Sequence, residues 1–301
     1  MSQISIPEEY IKAGKIAGEV RESIRKGSLV GMSLLEICNE VEGMFRKKGS
    51  EPAFPCCSSV NNTAAHYSAI LDEEYVVKEG DIIKLDIGCH LNGYLVDTAV
   101  TISYNSEFDS LVQATQASLN AAIKAAKEGV PAGYIGKVIE DVAESRGFKT
   151  ISNLSGHSIE RYKVHAGISI PNVWTPANQM LKANTVYAIE PFLTVPNGAG
   201  YVVEGKAKPI YALLTRKKTG DKRLDSFADM IWETRRTLPF SPRWYRDQYP
   251  KEELRKMLDR LVKIKVLRSY PDLIEARGGY VAQFEHTIVP TPTGAIVLTQ
   301  V

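Results

Sequence analysis

The sequence predicts an α+β fold: two similar α/β halves, helices over one face of an antiparallel or mixed sheet, and a helical segment inserted before the last strand. Three observations carry this. A long helix, a glycine-bracketed turn, a shorter helix, a glycine stop and then strands occur twice, in the same order and at nearly equal lengths, which points to a pseudo-twofold axis. A strand–turn–strand signal centred on Asn92-Gly93 follows the first helix pair. The closing run YVAQFEHTIVP alternates like a strand but is cut off from the others by a helical stretch, so it must return to a sheet already begun.

In the first copy, Pro7 followed by Glu8 and Glu9 makes a first helical turn. Ile11, Ala13, Ile16, Ala17, Val20 and Ile24 then recur at helical spacing. Gly27 and Gly31 bracket a turn, a second helix runs from Ser33 to Lys48, and Gly49 ends it. The stretch from Glu51 to Tyr67 is dense in Pro, Ser, Asn and Cys and reads as extended chain and loop. The strands DIIKLDIG and YLVDTAVTI flank the Asn92-Gly93 turn. The second copy has an alanine-rich helix from Glu107 to Lys127, a turn at Gly129 and Pro131, and a helix from Ile135 to Arg146. A polar loop, SNLSGHSIERYKVHAG, follows, then strands near 165–170, 185–194 and 208–215. The domain reading is one unit over 1–216 and 272–301, interrupted by a helical insertion at 217–271.

Hydrophobic residues at 44% and charged residues at 24% are ordinary for a globular chain. A net charge of +2 makes no case for a DNA partner. The opening MSQISIPEEY has no basic stretch followed by an apolar one, and no apolar run is long enough to cross a bilayer. The four cysteines, Cys38, Cys56, Cys57 and Cys89, follow neither zinc-site nor secreted-domain spacing. A cytoplasmic protein without a membrane partner is expected.

The chemistry lies in acids at unfavourable places. Asp86 sits inside IIKLDIG and Asp97 inside YLVDTAV, although strand interiors disfavour aspartate. Regular pairing across the turn sets Asp86 opposite Ala99; a one-residue shift or bulge would set it opposite Asp97. Two neighbouring carboxylates repel unless a proton or cation lies between them. Glu190 in TVYAIEPFL and Glu285 in YVAQFEHTIV share the oddity. Of the five histidines, His157 in the polar loop can reach a central site. His90 at the hairpin tip is expected to be exposed, and His286, beside Glu285, to point away. One imidazole and four carboxylates balance two divalent ions in charge, and an oxygen-rich set without thiolate suits a hydrolytic centre rather than a structural zinc site. No HExxH helix, phosphate-cradling glycine loop, dinucleotide fingerprint or G-x-S-x-G elbow occurs.

PAFPCCSSVNNTAAHY, KLDIGCHLNGYLVDTAV, SGHSIERYKVHAG, VYAIEPF and SYPDLIEARGGYVAQFEHT together resemble the methionine aminopeptidases of the type 2 class, over nearly the whole chain. The resemblance implies the curved, pseudo-symmetric pita-bread fold and removal of the first methionine from nascent chains, preferably before a small second residue. It implies two divalent ions (Co, Mn, Fe or Zn) held by Asp86, Asp97, His157, Glu190 and Glu285. Glu190 doubles as proton acceptor, His165 contacts the substrate carbonyl and His66 the leaving nitrogen. The specificity pocket maps onto Phe54, Val164, Phe192 and Tyr270. In that family the segment at 217–271 marks type 2, and the start close to the core looks archaeal. Enzymes of the same fold cleave before proline or act on creatine, but the AAHY and QFEHT contexts are closer to the methionine enzymes. A rival reading is a non-enzymatic binder of ribosomal RNA, using the basic run at 217–223 with Trp232, Trp244 and Tyr245; in an enzyme the same run would give transient ribosome association. A monomer is expected.

Overall fold

The structure, a computed structural model, describes residues 5–176 and 179–301. Residues 1–4, on which part of the leader reading rests, lie outside it. Helix α1 (Glu8–Lys26) has acids in its first turn and bases in its last, as the helix dipole favours. Helix α2 (Leu34–Lys47) starts on a capping box in which Ser33 and Glu36 satisfy each other's backbone N–H groups. The buried stripe Ala13, Ala17 and Val20 lays α1 across the hairpin of strands Ile82–Leu91 and Tyr94–Ser103. That hairpin turns on Asn92 (φ 52°) and Gly93 (φ 85°), the left-handed pair that a two-residue turn requires.

The 51–67 stretch, expected as extended chain and loop, has its extended parts paired into sheet. It contains strands Glu51–Pro52, Cys57–Val60 and Thr63–Ala65, the first two pairing with Ile82–Leu91. Buried Ser58 and Ser59 fill positions that an apolar alternation would normally announce.

In the second half, α3 (Asp109–Ala125) and α4 (Ala132–Ser145) pack on each other. A five-stranded sheet runs in the order Gly294–Val297, His286–Thr291, Val186–Ile189, Ser155–Ile159, Ser169–Pro171. Of the antiparallel or mixed sheet left open by the sequence, every described ladder is antiparallel. His157 therefore sits in a strand rather than in the expected polar loop. Flanked by Gly156 and Ser158, it carries no hydrophobic alternation to reveal that.

Two strands break side by side. Val186–Ile189 stops before Glu190-Pro191 and resumes as Phe192–Thr194; Val281–Gln283 stops before Phe284-Glu285 and resumes as His286–Thr291. Because Ile189 faces His286 and Phe192 faces Gln283, the two breaks lie at the same level.

The 217–271 segment contains α5 (Lys222–Arg235), α6 (Lys251–Lys263) and a strand, Leu267–Tyr270, which pairs with Ile210–Leu213. Most of its buried residues cluster with Tyr211 and Leu213 around Phe227, whose ring meets Phe240, Tyr245 and Tyr249 edge-on at 5.4–6.4 Å, while Leu238 joins the main core. A buried ion pair between Arg243 and Glu42 joins it to α2, and Trp244 and the Cys56 N–H also donate to Glu42. The four cysteines are buried and free. Among the described residues no helix is long and apolar enough to cross a membrane.

Candidate active site and metal centre

The hairpin supplies the first pair of acids. Its register is regular, so Asp86 faces Ala99 and Gly88 faces Asp97; the shift or bulge offered as an alternative does not occur. The carboxylates are diagonal neighbours on one face. Gly88 has a distinct use: a Cβ there would lie 2.5 Å from a ring carbon of Phe54 and from the Val96 carbonyl oxygen. The missing side chain lets the Phe54 ring lie on the sheet beside Asp97.

The paired breaks supply the second pair of acids. Glu285 and Ala99 bond backbone to backbone in both directions, at 3.1 and 3.3 Å, which stitches the last strand to the hairpin carrying Asp97. Leaving the ladder at that point turns Glu190 and Glu285 toward the same space. His157, one strand over, completes the set.

Asp97, His157 and Glu285 each place a ligand-type atom within 4.8 Å of the others, and so do Asp86, Glu190 and Glu285. The two groups share Glu285, so five residues make a double site. His157 Nε2 lies 3.7 Å from Asp97 Oδ2 and 3.5 Å from Glu190 Oε1, too long for good hydrogen bonds. Asp86 Oδ1, Asp97 Oδ1 and Glu285 Oε1 are buried without any hydrogen-bond partner.

Electrostatics agree. Burial pushes the Asp86 carboxyl up to about 6. Burial, and then the neighbouring acids, hold Asp97, Glu190 and Glu285 well above the usual carboxylate range. Burial, and then His165, takes His157 down to about 3, which leaves it neutral and able to ligate. Orphaned carboxylate oxygens, mutual repulsion and a neutral imidazole fit two divalent ions.

A cavity of about 310 Å³ opens over this centre. Phe54, His66, Val164, His165, Phe192 and Tyr270 all line it, together with Asp86, Asp97, His157 and Glu190. Phe192 opens the strand segment that resumes after the break at Glu190-Pro191 and reaches the cavity from there. His66 holds a left-handed φ of 63°, rare for a residue with a side chain, and its ring lies 5.8 Å from that of Tyr270. The His165 ring lies tilted at 54° against that of His157, with centroids 4.3 Å apart. Burial lowers His66 to about 4, so it is neutral at physiological pH.

His286 points away, toward Arg21 (3.1 Å) and Thr299 (2.8 Å). His90 departs from its expected exposure: it is half-buried, with Nδ1 accepting from Gly93 N at 3.1 Å and its ring beside Tyr162.

Sequence reasoning missed Gln283. Its side-chain amide donates to Asp86 Oδ2 at 3.1 Å and lies 3.4 Å from Glu285 Oε2, holding two acids from different halves. Its place two residues before Glu285, in a run that reads locally as one strand, was the available signal.

The profile of metallopeptidase family M24 matches residues 8–292. The chain is 43% identical over 294 residues to a methionine aminopeptidase of Pyrococcus abyssi, covering 97% of this chain and 99% of that one. It is 42% identical to one of Saccharolobus solfataricus, with 97% of each covered. The chain belongs to the methionine aminopeptidases of metallopeptidase family M24. The crystal structure of methionine aminopeptidase from Thermotoga maritima superposes with a TM-score of 0.71 at 25% identity, covering all of both chains. The pita-bread fold and a metalloaminopeptidase activity follow from membership and from the double site. The type 2 designation is corrected. The relatives are compact chains matched end to end, a length that fits the type 1 class, so the assignment is to methionine aminopeptidases without that qualifier.

Proposed function

We propose that the chain removes the N-terminal methionine of nascent polypeptides in the cytoplasm, as a monomer, preferring substrates with a small second residue. The observation that carries this is a carboxylate-rich double metal site at the floor of a cavity walled by aromatic residues. Asp86, Asp97, His157, Glu190 and Glu285 would hold two divalent ions, which supply Lewis-acid polarisation of the scissile carbonyl and an activated water.

The remaining roles fall to side chains. Glu190 accepts the proton of the attacking water and passes it toward the leaving nitrogen. His165, at the cavity wall, donates to the carbonyl oxygen as negative charge builds there. Neutral His66, also at the cavity wall, contacts the leaving amide nitrogen. Phe54, Val164, Phe192 and Tyr270 enclose the methionine side chain, whose flexible thioether suits an apolar slot.

The basic run at 217–223 is the surface offered for transient ribosome contact. Much of its charge is spent internally, since Lys218 pairs with Asp229 and Arg223 with Glu253, and Trp244 donates its N–H to Glu42.

Cleavage rates on matched peptides differing only in the first residue test the reading. An apolar slot separates one methylene by only about 1–3 kcal/mol, so norleucine should be cleaved, while lysine, glutamate and proline should fall far behind methionine in kcat/KM. Cleavage of proline or lysine peptides as fast as methionine peptides would defeat the assignment.

A further inference from the structure

Arg235, in the last turn of α5, is 6% exposed, and among the described residues it makes no ion pair with a carboxylate. A buried cation without an acid is costly unless its donors are well used. Its Nη2 faces three backbone carbonyl oxygens: Pro52 at 2.7 Å, Pro239 at 3.1 Å and Ala53 at 3.2 Å. The flat face of the guanidinium lies 4.9 Å from the centre of the Trp244 ring.

Those carbonyls belong to the cavity walls. Pro52 and Ala53 lead directly into Phe54, and Pro239 lines the cavity itself. The chain just after Arg235 adds to the tie. Arg236 has φ 56° and ψ −116°, a strained conformation for a residue with a side chain. Thr237 donates to the Tyr162 carbonyl, two residues before Val164, and Leu238 is fully buried in the same core as Phe54 and Val164. Residues 235–239 thus brace both sides of the slot from outside the metal centre.

We infer that Arg235 is a positioning residue that sets the shape of the first-residue pocket by holding Phe54 and Pro239 in place. The inference rests on the aminopeptidase reading above. Methionine affinity then depends on the carbonyl contacts of Nη2 and on the guanidinium's place over Trp244, which a lysine ammonium reproduces only in part.

The test compares wild type, Arg235→Met and Arg235→Lys on Met-Ala-Ser, with metal content and thermal melting recorded for each. In Arg235→Met, KM should rise about tenfold while kcat stays within about threefold and bound metal is unchanged; Arg235→Lys should fall between the two. A folded Arg235→Met with lowered Tm but wild-type KM would overturn the inference, because a merely structural brace predicts that pattern. Should Arg235→Met not fold, Arg235→Lys decides: a raised KM supports the inference and an unchanged KM overturns it. Wild type that fails to cleave Met-Ala-Ser would instead remove the aminopeptidase reading.

Discussion

Glu190→Gln should lower kcat on Met-Ala-Ser by roughly 10³-fold, within the usual span for general acid–base groups. That fall corresponds to about 4 kcal/mol of lost transition-state stabilisation. Glutamine keeps an oxygen at the site but cannot take a proton. Glu190 Oε1 stands 3.5 Å from His157 Nε2 at the break between two strand segments, so the substitution changes little packing. Metal content separates proton transfer from ligation. If metal is retained and kcat falls, Glu190 carries the proton; if kcat is unchanged with metal in place, another group does.

The second large effect is a pH-dependent gap between metal-loaded and metal-free protein. Without cations, burial raises the folded-state pKa of Asp86 to about 6 and holds Asp97, Glu190 and Glu285 well above their ordinary range. A carboxyl whose folded pKa is raised binds more protons folded than unfolded, so its contribution is lost as pH rises through that window. For Asp86 alone, from 3.8 to about 6, this amounts to about 3 kcal/mol. Histidines act in the opposite sense. His66 and His90, lowered to about 4, cost stability as pH falls below 6.5. Above about pH 7.5 the histidines are neutral and Asp86 is ionised in both states, so the pH dependence that remains belongs to Asp97, Glu190 and Glu285, held well above the ordinary range. Over that range the metal-free protein should melt at progressively lower temperature, and the Tm gain from restored metal should widen. A gain that shrinks with rising pH would mean that these acids do not bind the ions together.

What was legible in the sequence was whatever leaves a local mark. The helix pairs showed through their 3.6-residue spacing and glycine stops, and the central hairpin through Asn92-Gly93. Asp86, Asp97, Glu190 and Glu285 stood out because each is a charge in an apolar run. The features missed depend on register or on approach between distant segments. Strand Ser155–Ile159 carries His157 without apolar alternation. Gly88 looks like any strand glycine until the Phe54 ring is found upon it. Gln283 bridges acids from two halves, and Arg235 grips carbonyls almost two hundred positions earlier in the chain. The matched breaks at Glu190-Pro191 and Phe284-Glu285 aim two acids into one space, yet each reads locally as an uninterrupted strand. The class designation overreached for another reason: it rested on an inserted segment, and the end-to-end match to compact relatives outweighs that mark.

The central claim is that five residues from two halves of the chain hold divalent ions that the removal of methionine requires. It is tested most directly by following free methionine released from Met-Ala-Ser by chelator-stripped protein, before and after a single divalent ion is restored. The account predicts no release in the stripped state, and turnover once cobalt, manganese, iron or zinc is added back. Equal release with and without the ion, or none with any of the four, would contradict it.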